Sequence, residues 1–193
     1  RAAAHDEHAF PGRDRERRLS AEELRDSLLV ASGRIDLSPG GPHPFPPPSR
    51  WAYTQHTPFA EVYETDRRSV YLLTLRNRRP AFFALFDGAD PNATTPLRQV
   101  TTVPTQALFF MNDPFFHGQA EGVASRVLGR PDVASRLDEM FRIVFQRPAT
   151  ATDREIALAF LAAYPDGPGE TSGGAPSGEA WAALLLSRGR VAK

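Results

Sequence analysis

Cysteine is absent from the 193-residue chain, which excludes a disulfide, a thiolate metal site, a cysteine nucleophile and a covalently attached haem within it. Lysine is almost absent, since Lys193 is the only one among 23 basic residues. The arginine excess admits two readings, bidentate recognition of anions or a compositional bias towards arginine codons, and the bias is preferred. Surplus charge is missing as well: 23 acidic residues balance the 23 basic ones. A general nucleic-acid or anionic-membrane binder needs positive surplus to displace counterions, so neither partner is expected. No apolar run approaches the roughly 18 residues of a membrane span, and no signal-peptide pattern occurs. A P-loop, a G-x-G-x-x-G loop and a G-x-S-x-G nucleophile elbow are all lacking, which leaves nucleotide chemistry and hydrolase triads without a local signature. The chain starts at Arg1 rather than Met and reads as a piece of a longer polypeptide.

What is present suits one domain. Hydrophobic residues make up 41% of the chain, enough for a single core at this length. Alanine and leucine greatly outnumber valine and isoleucine, which favours helix over strand. The 18 prolines gather in connectors, above all in residues 38–50 (SPGGPHPFPPPSR), where helix and central strand are both forbidden. A surface connector is the preferred reading of that stretch over a proline-rich ligand for an aromatic groove.

The fold class expected is mainly α: an irregular helical bundle with long Pro/Gly-rich loops and at most a short strand or hairpin. Residues 1–18 read as a linker or arm, 19–165 as the helical domain, 166–178 as a flexible linker and 179–193 as a short terminal helix. Ser20-Ala-Glu-Glu23 is a capping box that opens a helix over about 21–32, with Leu24, Leu28 and Ala31 as its apolar stripe, Leu29 alongside and Gly33 as C-cap. Residues 69–75 (SVYLLTL) read as a short strand, although their leucines also suit a helix. Phe82, Phe83, Leu85 and Phe86 lead into a turn at Asp87-Gly-Ala-Asp90-Pro-Asn92. Pro104 starts one helix, to about Met111, and Asp113-Pro114 another, to about Leu128. Leu137, Met140, Phe141, Val144 and Phe145 keep a helical period from Val133 onward. Thr152-Asp-Arg-Glu155 reads as a second capping box, with Ile156, Ala159, Phe160 and Ala163 on the buried side of a helix that stops near Tyr164.

Three constellations could carry chemistry. Asp87, Asp90 and Asn92 offer oxygen ligands, but without the alternating spacing of a calcium loop they read as side-chain caps of a tight turn. Arginines 67, 68, 76, 78 and 79, beside Tyr63 and Tyr71, could grip a phosphate, sulfate or carboxylated sugar; the preferred alternative pairs some of them internally with Asp66, Asp87 and Asp90. Of the five histidines, His5, His8, His43 and His56 fall in loops or linkers, so no zinc site is expected. His117 could pair with Asp113 at i, i+4.

Three stretches together resemble a known family: Arg18-Leu-Ser-Ala-Glu-Glu-Leu-Arg25-Asp26; Arg67-Arg68-Ser69-Val-Tyr71; and Phe86-Asp87 with Asp90-Pro-Asn92, Arg98, Thr101-Thr-Val-Pro104-Thr-Gln106-Ala-Leu108 and Met111-Asn112-Asp113-Pro-Phe115. The order resembles the planctomycete-type C-terminal domain of unknown function found in large exported proteins that carry planctomycete cytochrome-c-like modules. It spans about residues 17–165, and Gln146-Arg-Pro148 looks like that family's usual close to the 133–145 helix. The resemblance implies an exported, periplasmic or cell-envelope setting and a mainly helical fold. It also implies haem c elsewhere in the full-length protein, with no cofactor in this chain, and neighbouring domains of the same polypeptide as partners. It supplies no reaction. The end departs from the pattern, since Trp181 is followed by Leu-Leu-Ser187-Arg-Gly-Arg190, so the last segment reads as truncated or altered and its docking is left open.

A non-catalytic structural or interaction module is therefore the expected function. The alternative is an anionic-ligand site, for a sulfated or acidic polysaccharide, within a multidomain enzyme. Both draw on the same candidates: Arg67, Arg68, Tyr71, Asp87, Asp90, Asn92, Arg98, Gln106 and Asn112. No catalytic and no metal-binding residue is assigned.

Overall fold

The computed structural model describes residues 18–41, 49, 65–76, 79–94, 97–164 and 176–188. The arm over 1–17, most of the proline-rich loop, Tyr63, Arg78, His5, His8, His43 and His56 lie outside the described residues, as does most of the 166–178 linker. In chain order the described residues form α1 (Ala21–Ser32), α2 (Ala81–Leu85), α3 (Pro104–Asn112), α4 (Pro114–Leu128), α5 (Val133–Phe145), α6 (Ala151–Ala163) and α7 (Gly178–Arg188). The protein is mainly helical, and no sheet forms among these residues; an isolated parallel bridge joins Asp36 to Arg67.

Short side chains set the ends of the helices. Ser20 accepts from the Glu23 backbone N–H at 3.3 Å while Glu23 accepts from the Ser20 N–H at 2.8 Å, which satisfies two orphan donors at the start of α1. Gly33 closes that helix at φ 79°, in the left-handed region where a Cβ is costly. Asp113 caps α4 through Phe115 N and Asp132 caps α5 through Ser135 N, each at 2.9 Å. For α6 the box lies two residues earlier than Thr152–Glu155. Thr150 is the N-cap, and it exchanges hydrogen bonds with Asp153 at 3.0 and 3.2 Å. Arg147 holds the same carboxylate at 2.7 Å, which fixes Asp153 where an N3 acceptor is needed.

α4 is the axis of the bundle, with α1, α3, α5 and α7 all packed on it. Its buried face (Ala120, Val123, Ala124, Val127) meets Leu137, Met140 and Phe141 of α5 and Trp181 and Leu184 of α7 in one cluster. Trp181 is fully buried, so the terminal helix left open by the sequence is a wall of the core. α6 adds Ala157 and Leu161. That face is turned about one residue from the expected Ile156, Ala159, Phe160 and Ala163, and Ile156 stays half exposed. Apolar residues surround this helix on most sides, so period alone cannot fix which face packs.

One other expectation changes. Ser69–Tyr71 is a 3-10 turn, not a strand, because Asp26 of α1 captures the Ser69 N–H at 2.8 Å and its hydroxyl at 2.6 Å, and among the described residues no strand pairs with it. The Phe82–Phe86 stretch folds into the short α2, which stacks its rings against Phe109 and Phe115 of α3 and α4.

α1 comes very close to α4 at Gly122. A Cβ there would lie 2.7 Å from Ser32 Cβ and 3.1 Å from Ser32 O, and Ser32 Oγ donates to Gln119 Oε1 at 2.6 Å beside it. At Gly118, four residues earlier on α4, a Cβ would meet only the flexible Arg34 guanidinium at 3.4 Å. Overpacking costs about 1–3 kcal/mol and removing a helical glycine returns up to about 1 kcal/mol. Gly122→Ala is thus expected to lower Tm by a few degrees and Gly118→Ala to raise it slightly, both read by thermal unfolding followed by circular dichroism.

Candidate functional site

The most buried charge in the described chain is one the apolar stripe conceals. Ala21, Arg25, Leu29 and Ser32 form the buried face of α1, whereas Leu24, Leu28 and Ala31 are half-buried beside it. Arg25 therefore occupies a core-facing position with 7% of its surface exposed. A desolvated guanidinium needs all its donors engaged. Arg25 Nη1 donates to Arg67 O at 2.9 Å and to Ser69 Oγ at 3.3 Å, Nη2 donates to Thr65 O, and the group stacks over the Phe115 ring at 5.8 Å. Burial lowers its pKa from the ordinary arginine value, and the charges of Asp26 and Asp66 act against that. The guanidinium thus fastens the backbone of 65–69 to α1, and Asp26 grips Ser69 from the next position.

Most of the expected candidates distribute around this anchor instead of converging. Arg67 Nε lies 3.5 Å from Asp36, Arg34 pairs with Asp66 at 3.2 Å, and Arg68 Nε is 3.9 Å from Asp26. The acids paired with Arg67 and Arg68 thus belong to α1 and the segment after it. Asp87 and Asp90 form no ion pair with these arginines among the described residues, contrary to the expected internal pairing. Asp87, at φ 58°, accepts from Thr101 N at 2.7 Å and Thr101 Oγ1 at 2.8 Å. Next to it, a Cβ on Gly88 would lie 2.8 Å from Phe83 Cβ, so this turn needs glycine. Asp90 accepts from Asn92 N at 2.9 Å, and the Asn92 amide donates to Arg76 O. Tyr71 is exposed and its ring fills the space over Gly40.

A second polar knot ties α2 to the start of α3. Gln106 is 5% exposed, donates to Leu85 O at 2.9 Å and Thr101 O at 3.3 Å, and accepts from Arg18 Nη2 at 2.8 Å. Arg18 also donates to Thr101 O. Arg98 pairs with Glu22 on the exposed side of α1, which raises the Arg98 pKa. Burial pushes Glu22 upward, yet hydrogen bonding from Arg98 and the helix N-terminus leaves it below the usual carboxylate range. Asn112 bonds back to Leu108 O at 3.0 Å in its own helix, and His117 Nε2 contacts Met111 O at 3.0 Å instead of pairing with Asp113.

Among the described residues no group of three or more His, Asp or Glu side chains is placed to hold a metal ion. Sequence reasoning missed Arg25, Glu22 and Thr101 as network members, although all three lie inside the motifs of the sequence. The available signal was a charged residue midway between Ala21 and Leu29 at i, i+4.

The fold and this site define a helical module whose middle-third polar groups chiefly hold one segment to another. The family of proteins of unknown function designated PSD1 (DUF1553) matches residues 1–161, and the chain belongs to that family. No curated protein and no solved structure matches it.

Removing Arg25 leaves buried acceptors unpaired, at about 1–3 kcal/mol each. Arg25→Met is expected to lower Tm by several degrees, whereas Arg68→Gln and Arg98→Gln, at half-exposed positions, should each change it by about a degree or less. Hydrogen bonds from Thr101 lower the Asp87 pKa, and those from Arg147 and Thr150 lower that of Asp153. A carboxylate with a depressed folded pKa stabilises above its unfolded value of about 3.9, and that contribution is lost as pH falls through the folded value. Tm should therefore decline below about pH 4, and Asp87→Asn should flatten the decline.

Proposed function

We propose that the chain is a non-catalytic structural and interaction module of a larger exported, cytochrome-c-associated envelope protein of planctomycete type, packed against neighbouring domains of the same polypeptide. The observation that carries this reading is the closure of the polar network. Arg25, Arg67, Asp87, Asn92 and Gln106 each have partners within the chain, and they are spread over separate contacts between segments instead of lining one cleft.

The outer side of α3 supports the interaction half of the reading. The helix (PTQALFFMN) has no charged residue; its inner side meets α2 and α4, while Val103, Leu108 and Met111 remain exposed. A cluster of exposed apolar side chains on one side of a helix marks an interaction surface. A domain from the same polypeptide would cover this side.

The competing reading, a polysaccharide site within a multidomain enzyme, makes a different demand: a sulfated oligosaccharide or inorganic phosphate would stabilise the chain by mass action, and Arg67→Gln with Arg68→Gln would abolish the effect. The expected outcome is no rise in Tm with heparin fragments or phosphate. Leu108→Asp with Met111→Asp should leave Tm of the isolated chain unchanged and, in the longer polypeptide, increase protease cleavage between this module and its neighbour. A saturable rise in Tm that depends on Arg67 and Arg68 would favour the enzyme reading instead.

A further inference from the structure

A concavity of the described chain lies beside the network above, with Glu22, Asp26, Arg68, Ser69 and Arg98 among its lining residues. It is a groove of about 1460 Å³. One wall is the Leu24–Leu28–Ala31 stripe of α1, and Val123 of α4 with Ile143 and Val144 of α5 stand among the apolar residues opposite it. This is the stripe whose period marks it for burial. Inside the chain that role falls to the neighbouring face with Leu29, and the stripe is left half covered, looking into the groove.

Exposed apolar side chains concentrate at its rim. Val30, Leu37 and Val70 line it and are 54%, 69% and 70% exposed. Scattered single apolar residues need no explanation, but several around one concavity mark a binding surface.

The charges at the rim are unequal. Glu22 and Arg98 neutralise each other, and Arg126 donates to the terminal carbonyls of α1, Val30 O and Ala31 O. Asp26 is held by Ser69 through both N–H and hydroxyl. Arg68 keeps only a 3.9 Å approach to that already engaged carboxylate, with a side chain 54% exposed. The rim therefore combines an apolar trough with one cation whose donors are mostly unused.

We propose that this groove binds a single-chain amphiphile with an anionic head group, its hydrocarbon along Leu24, Leu28 and Ala31 and its carboxylate or phosphate on Arg68. An aliphatic chain gains by leaving water along a continuous apolar wall. The guanidinium supplies a charge-assisted pair of hydrogen bonds to the head. Neither inorganic phosphate nor a neutral alkane meets both halves of the site.

The test is fluorescence titration of the full chain with cis-parinaric acid and with its methyl ester, which share a chromophore and differ in head-group charge. Saturable one-to-one binding of the acid is expected. Arg68→Gln should weaken the acid about tenfold and leave the ester nearly unchanged. Val30→Asp and Val70→Asp, at exposed rim positions, should weaken both ligands by a similar factor with Tm unaltered, whereas Ile156→Asp, on exposed surface of α6 outside the groove, should change neither. The proposal is overturned if uptake of the acid does not saturate, if it survives both rim variants, or if Arg68→Gln weakens acid and ester alike.

Discussion

A buried guanidinium constrains the N-terminal half of this protein. Once Arg25 turns inward on α1, its donors must find acceptors in a place that water does not reach, and only backbone carbonyls of a second segment can supply them without bringing in another buried charge. Thr65 O and Arg67 O fill that role. The segment over 65–69 is thereby stitched against α1, and its extended backbone pairs once with Asp36 before turning as a 3-10 helix at Ser69. Arg67 and Arg68 then fall within reach of Asp36 and Asp26 as a consequence of that stitch. These exposed pairs follow the backbone; they do not set it.

The two halves are joined by different physics. Toward the C-terminus, α4, α5, α6 and α7 share a dry cluster around Trp181, Phe141 and Met140, where area and packing density decide stability. Toward the N-terminus, carbonyls, carboxamides and guanidinium groups connect irregular segments across long sequence separations, as Arg18 does with Gln106 and Thr101. α4 belongs to both. Gln119 and Gly122 present a polar, closely approached surface to α1, while Val123 and Val127 serve the core. A rotation of α4 to improve one interface would spoil the other, which is why a single methyl group at Gly122 matters.

Helix existence was largely readable from residue order, because caps and periods are local. Ser20, Gly33, Asp113 and the 133–145 period act over a few residues, and the corresponding helices stand where the pattern puts them. Face assignment was harder. On α1 the stripe with the larger side chains, Leu24 and Leu28, is not the one turned inward; Ala21, Arg25 and Ser32 accompany Leu29 because a close approach to Gly122 and a carbonyl cage for Arg25 need small or hydrogen-bonding groups. On α6 the register of the cap moved to Thr150 because Arg147, just before the helix, holds Asp153 at N3. Both outcomes depend on partners that a local period does not contain.

The same limit governs the candidate site. The residues singled out, from Arg67 to Asn112, are polar and near one another in sequence, so a common cleft and a mutual network were equally compatible with them. What separates the two is whether each group already has a partner elsewhere. Asp87 is engaged by Thr101, Asn92 by Arg76 and Gln106 by Leu85, and a group whose lone pairs or protons are committed to backbone would have to give up those bonds to hold a ligand. Arg68 differs from the rest because its nearest acid is itself saturated by Ser69. Among the described residues, Arg68 is a cation with unused donors that stands at the mouth of an apolar trough. That pairing of one free charge with one uncovered stripe separates a place for a ligand from a bond between segments.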